Sequence, residues 1–434
     1  MSLSTSNPDH QVRNPVTGVR GMNDLLPHET EIWQFMEQGF RLVLQNHGYQ
    51  EIRLPLIERT ELFQHSIGDS TDIVQKEMYT FADRNDESLT LRPEGTAGVM
   101  RAVIEHGLFH QPQRLWYMGP MFRYERPQKG RYRQFHQFGV ELLGYQGVEA
   151  DAEIIAISAR LWRFLGIDDL KLQLNMLGSE KSRSRYRQVL QIYLRQHAHR
   201  LDEVSKRRLD TNPLRILDSK NPEVRAVLEE APLLDDFLSE EDKLRCSHLC
   251  TLLDDMGIDY HKNSRLVRGL DYYDGAVFEW VTTRLGAQNA VCAGGRYDGL
   301  AEKIGGSATP AAGFAIGLER LVALLETLNQ LPTTSHLHAY LLYTSDQWTS
   351  AAFTLAESLR DKLPQLRMMV HCGGGSMKSR LRRANKSKAE CALIIGEEEL
   401  RDSRVQIKHL RSNAETLLIH RDQLAAWLQE HFRL

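Results

Sequence analysis

The sequence predicts an α/β (α+β) protein: a long region of antiparallel sheet and helices, broken by a helical insertion, and then a smaller α/β domain with a mixed sheet. Three observations carry this. Arg114–Glu141 reads as strand, charged loop, strand, with LWYMGPMF apolar, ERPQKGRYR holding Pro127 and Gly130, and QFHQFGVE alternating. Residues of about 179–261 (SRSRYRQVLQIYLRQHAHRLDEV, SKNPEVRAVLEEAPLLDDF, SEEDKLRCSHLCTLLDDMG) are charged, helical in pattern and broken by prolines. Beyond LNQLPTTSHLH, the runs AYLLYTS, RMMVHC, ECALIIG and RVQIKHL alternate with helical segments. The expected boundaries are 1–330, a linker at 331–338, and 339–434.

Taken in order, residues 1 to about 19 are rich in Ser, Asn and Pro and read as a loose arm. A helix follows, with Pro27 near its start, Glu29 and Glu31 in its first turn, and Ile32, Phe35, Met36 and Phe40 on one face; Gly48 stops it. EIRLPLIE reads as a strand interrupted by Pro55, which suits an edge or a bulge. SLTLRPEGTAGVMRAVIEH carries a strand through a loop into a helix beginning near Thr96. There Glu94 and Thr96 are good residues for a helix start whatever the function, and free backbone N–H groups lie beside them.

In the second strand of the hairpin, Phe135, Gln137, Gly139 and Glu141 share one face, and His136, Phe138 and Val140 the other. An aromatic platform, an amide, a residue without a side chain and a carboxylate suit the floor of a polar-ligand site better than a core. The loop brings Arg123, Arg126, Lys129, Arg131 and Arg133, enough charge to hold a polyphosphate, though solvated cations also protect ordinary sheet edges. DAEIIAISARLWRFLGI is an amphipathic helix and LKLQLNMLG a strand. LVRGLDYYDGAVFEWVT places an Arg, an Asp and two adjacent Tyr before a strand, a cluster that on its own is commonly a surface turn. GFAIGLERLVALLETL is a strand entering a helix whose buried stripe is Leu318, Leu321, Val322 and Leu325, with Arg320 among aliphatic residues where an unpaired charge is costly. In the last domain GGGS opens a helix bearing Lys378, Arg380, Arg382, Arg383 and Lys386, read as a local basic patch.

With 434 residues, 41% hydrophobic and 26% charged, the composition is that of an ordinary globular protein. A net charge of −3 does not announce a nucleic-acid binder, so any RNA affinity must come from local patches. The five cysteines are too few and scattered for a disulfide framework, which fits a reducing compartment. Cys246, His248 and Cys250 invite a zinc reading, but the same stretch fits a helix turning Cys246, Leu249, Cys250 and Leu253 inward. No apolar run is long enough to span a bilayer, and a cytoplasmic protein is expected.

FRYERPQKGRYRQFHQFGVE resembles motif 2 of class II aminoacyl-tRNA synthetases in the form found in histidyl-tRNA synthetases, with Tyr124 where most of them have His. TLRPEGTAG (90–98), LVRGLDYYDGAVFEW (266–280), AGGRYDGL (293–300) and GFAIGLERL (313–321) agree in family order, with Asp274 where Asn or Thr is usual. The helix and strand around Pro55 resemble motif 1, which implies a homodimer. The C-terminal part resembles the family's anticodon-binding domain, with Arg380 where many relatives have Gln.

The resemblance implies a class II catalytic core that joins L-histidine to tRNA(His) using ATP, with Mg²⁺ bridging the phosphates. Arg123 and Arg268 would be the catalytic cations at the α-phosphate, and Glu125, Phe135 and Arg320 would complete ATP binding. Glu94, Gly95, Thr96 and Gln137 would secure the α-amino end of histidine, Tyr272 would line its pocket, and Glu141 and Tyr273 would each serve one imidazole nitrogen. The insertion would touch the tRNA acceptor arm. The rival reading is a synthetase-like, non-enzymatic regulatory subunit of histidine biosynthesis, which typically lacks the histidine signatures and the C-terminal domain.

Overall fold

The first helix, Pro27–Asn46, forms where the apolar spacing places it, burying Ile32, Trp33, Met36, Phe40, Val43 and Leu44. The computed structural model describes residues 16–69, 71–128, 130–286, 289–330 and 337–434. Most of the N-terminal arm, Lys129 and most of the linker lie outside the described residues. The chain separates into one compact unit through residue 332 and another from residue 333.

The strands of the first unit, in chain order, are β1 (Gln50–Glu51), β2 (Ile57–Arg59), β3 (Tyr79–Ala82), β4 (Ser88–Leu91), β5 (Gln113–Phe122), β6 (Gln134–Leu143), β7 (Lys171–Met176), β8 (Tyr260–Lys262), β9 (Asp274–Val281), β10 (Ala290–Arg296) and β11 (Ala311–Gly317). Eight of them form one sheet in the order β1-β5-β6-β11-β10-β9-β7-β8. It is antiparallel from β5 to β7, and its two outermost strands, β1 and β8, are parallel to their neighbours. The run 51–58 therefore does not make one strand. Pro55 falls in a break, β1 joins the large sheet, and β2 pairs with β4 in a separate sheet with β3. Proline's missing N–H explains the break.

Alternation along the central strands sends one set of side chains into the core. Phe138, Val140, Phe278, Trp280, Phe314 and Ile316 pack there against the helices Pro27–Asn46, Val148–Leu165 and Leu318–Leu328. The opposite face carries the polar residues described below. The insertion has its own apolar cluster, with Tyr186, Leu190, Leu194, Ile216, Val224 and Leu234 reaching Val277 of β9. Its last helix, Glu240–Asp255, instead packs into the main core through Leu249, Cys250 and Leu253, as the inward-facing reading expects, with Cys246 partly buried beside them. Among the described residues no helix is long and apolar enough to cross a membrane.

The second unit holds β12 (Ala339–Tyr343), β13 (Met368–Val370), β14 (Cys391–Ile395), β15 (Arg404–His409) and β16 (Leu417–His420). They form a mixed sheet in the order β13-β12-β14-β15-β16, parallel around β12 and antiparallel beyond β14. Ser376 caps the helix Met377–Lys386. Arg380 on this helix departs from the expected surface patch. It is only 2% exposed, lies 4.5 Å from the Tyr343 ring centroid, and donates to Gly375 O, Tyr343 O and the Asp346 carboxylate. Three acceptors at the end of β12 and in the glycine loop draw it inward, so the patch belongs to its neighbours alone.

Candidate active site

On the polar face of the large sheet lies a cavity of about 300 Å³ floored by β6, β9, β10 and β11 and walled by three loops. Glu94, Thr96, Arg123, Glu125, Phe135, Gln137, Arg268, Tyr272, Tyr273 and Arg320, drawn from four of the five sequence segments, line it together. Gly95 and Glu141 are not part of the lining; they sit against residues that are.

At one end Glu94 caps the helix Thr96–Glu105, accepting from the backbone N–H groups of Thr96 (2.7 Å) and Ala97 (2.9 Å). Burial pushes its carboxyl above the usual range, while those two N–H groups and the nearby Arg123 pull the other way. The capping reading and the site reading therefore describe the same residue. Glu141, 1% exposed, accepts from the Thr96 hydroxyl (2.7 Å) and from the Tyr297 phenol. Burial drives its pKa up to about 8 against both hydrogen bonds. Gly313, opposite Glu141 on β11, has to be glycine, since a Cβ there would stand 2.0 Å from the Glu141 carboxylate. The rings of Tyr272, Tyr273 and Tyr297 cluster with centroids 4.7 to 6.1 Å apart. Burial also pushes the Tyr273 phenol up to about 12, so it remains a hydrogen-bond donor, although Arg268 opposes the shift.

Arg268 lies 5.5 Å from the Tyr273 ring centroid and is paired with Glu279 of β9. Burial works against its charge, but Glu279 together with Tyr273 and Tyr272 outweighs it and holds the guanidinium's pKa above the usual value. Its Nε is buried and without a hydrogen-bond partner, an atom poised for a ligand.

The far end is cationic. Arg123 donates to Pro93 O (2.9 Å) and lies 5.2 Å from the Phe135 ring centroid. Arg320 donates to Ala290 O (2.9 Å) and, more weakly, to Gly130 O (3.3 Å). Its pKa falls to about 10 through burial and through repulsion by Arg131 and Arg123. Guanidiniums crowded so closely are relieved by a polyanion. Among the described residues no three His, Cys, Asp or Glu side chains group to hold a metal. Besides Glu94, the acids lining the cavity are Glu125, Glu279 and Glu319, which offer hard oxygens of the kind that Mg²⁺ takes.

Three contributors escape a reading of the sequence. Glu279 was legible in principle as a lone acid in the apolar strand AVFEWV, on the face opposite Phe278 and Trp280. Glu319 lines the cavity while accepting from the His136 backbone N–H (2.8 Å) and pairing with its ring (2.9 Å). Tyr117, fully buried on β5, gives no signal at all, because an aromatic residue on a strand is ordinary.

The histidyl-tRNA synthetase family profile matches residues 21–321, and an anticodon-binding domain profile matches residues 338–431. The chain belongs to the histidyl-tRNA synthetase family. The solved apo histidyl-tRNA synthetase of S. aureus is 33% identical, with 96% of this chain and 100% of that chain covered and a TM-score of 0.81. The fold alone is shared with the Nostoc histidyl-tRNA synthetase, at 20% identity over 96% of this chain and 100% of that one, TM-score 0.71. It is also shared with a Bacillus halodurans protein described as an ATP phosphoribosyltransferase regulatory subunit/histidyl-tRNA synthetase, at 24% identity over 88% and 100%, TM-score 0.64. The architecture is thus that of the family's class II core with an appended anticodon-binding domain.

Proposed function

We propose that the chain is a histidine–tRNA ligase that activates L-histidine with ATP to histidyl-adenylate and pyrophosphate, then passes histidine to the 3′ end of tRNA(His). One observation carries this reading: acidic and phenolic groups suited to an amino acid share a single cavity with three arginines suited to a triphosphate. Glu94 holds the α-ammonium group with Thr96 and Gln137. Tyr273 donates to one imidazole nitrogen and Glu141, set just behind the lining against Thr96, is the acceptor proposed for the other, so apolar amino acids would leave buried polar groups unpaired and be rejected.

The carboxylate of histidine attacks the α-phosphorus, and alignment with charge cancellation does most of the work. Arg123 and Arg268 grip the α-phosphate from two sides, Arg320 takes the γ-phosphate end, and Glu125 and Phe135 seat adenine. Mg²⁺ bound with the nucleotide would neutralise phosphate charge, and Glu279 and Glu319 of the cavity lining would be the carboxylates to hold it. Pairing of two copies through the segment around Pro55, where Leu56 and Ile57 are 42% and 43% exposed, belongs to the same reading.

The rival, a histidine-binding regulatory subunit, shares the fold but needs neither Arg268 and Arg320 nor an anticodon-binding domain. ATP–pyrophosphate exchange decides between them. Exchange stimulated by histidine and by no other amino acid supports the ligase, and histidine binding without exchange supports the regulator.

A further inference from the structure

We propose that Arg215, contributed by the helical insertion, is a positioning residue that fixes the loop carrying Arg268, Tyr272 and Tyr273. The insertion thereby sets the competence of a cavity that none of its residues lines. The catalytic consequence rests on the function proposed above.

Residues 263–273 between β8 and β9 form neither helix nor strand, so their conformation must be imposed from outside. Asp271 is where that happens. Its backbone N–H donates to Ile67 O (3.1 Å), at the end of the helix Thr60–Ile67, and its carbonyl accepts from Lys303 Nζ (3.0 Å). Its carboxylate presses against Gly68, where a Cβ would stand 2.6 Å from Oδ2. Its Oδ1 accepts from Asn212 Nδ2 (3.0 Å) and Arg215 Nε (3.3 Å), both from the insertion.

Arg215 uses the other arm of its fork on the carbonyl of Gly269. One guanidinium, 8% exposed, thus spans two points of the loop that flank Leu270 and lie just after Arg268 and just before Tyr272. Lysine, with a single charged nitrogen, cannot reproduce that grip. A second tie from the insertion, Arg208 to Asp72 (2.9 Å), holds the segment that follows Gly68. Displacing catalytic groups by about 1 Å costs on the order of 10²-fold in rate, so a modest loosening of this loop is enough to show.

The test uses the full chain and two readouts. In Arg215→Ala, hydrogen exchange in the peptide covering residues 266–273 should speed up about 10-fold or more with β9 unchanged. In the pyrophosphate-exchange assay the same variant should lose about 10-fold or more in kcat and gain in KM for histidine, with Arg215→Lys recovering little of either. Unchanged protection of the loop overturns the proposal, and so does faster loop exchange with kcat and KM held within about twofold. If Arg215→Ala fails to fold, Arg215→Met keeps the aliphatic bulk and is judged by the same two readouts. If the wild-type chain shows no histidine-dependent exchange, the ligase reading falls, and loop protection alone still decides whether Arg215 positions the loop.

Discussion

A carboxyl group buried as Glu141 is holds its proton to about pH 8, whereas an ordinary glutamate loses it near 4.5. Between those values the folded chain binds a proton that the unfolded chain has released. Stability from this group is therefore fully present below the ordinary value and is lost as pH rises to about 8. Glu141→Gln removes the titration. In paired thermal melts the variant's Tm should gain on wild type steadily as pH is raised from about 5 to about 8, with no further change above. Arg268→Ala tests the cation: histidine affinity by calorimetry should hold within a few fold while pyrophosphate exchange falls on the order of 10²–10³-fold. Arg320 was legible in the sequence because a charge among aliphatic residues demands a reason, whereas Arg123 and Arg268 were assigned only through the resemblance. Glu279 was passed over although it obeys the same logic, and it is the largest of the groups that offset burial at Arg268.

Among the elements, β5 and β6 show how close the backbone has to come. The ring of Tyr117 lies between Gly95 and Gly139, and a Cβ at either position would meet it at 2.2 Å. Gly139→Ala should therefore destabilise the chain by about 1–3 kcal/mol in urea titrations, and Tyr117→Phe should not relieve it, because the clash reaches the ring carbons. The gap with no side chain was visible in QFHQFGVE, but the ring that fills it was not. Periodicity located the first helix, the hairpin and the strand–helix junction at Thr96 because each buries one face. It merged β1 with β2, since the side-chain pattern of a short apolar run carries no record of which sheet each half joins. Charge pattern likewise assigned Arg380 to a basic patch, and burial reversed that assignment.

At the scale of the whole molecule, two units each have a core of their own, and the proposed function gives each a separate task. Residues 1–332 alone should keep histidine-dependent pyrophosphate exchange within several fold while aminoacylation of tRNA drops by about 10²-fold or more, read by parallel assays on the same preparation. The order of the large sheet has a further result for biosynthesis. β6 pairs with β5 on one edge and with β11 on the other, so the hairpin leaves the ribosome with one hydrogen-bonding edge open and waits until Ala311–Gly317 has been made. At about 5–20 residues per second that wait is roughly 10–30 s, long enough for a holdase to bind the exposed edge. Nascent chains arrested just short of residue 311 should therefore pull down a holdase chaperone and precipitate on release, and chains arrested well past residue 330 should do neither.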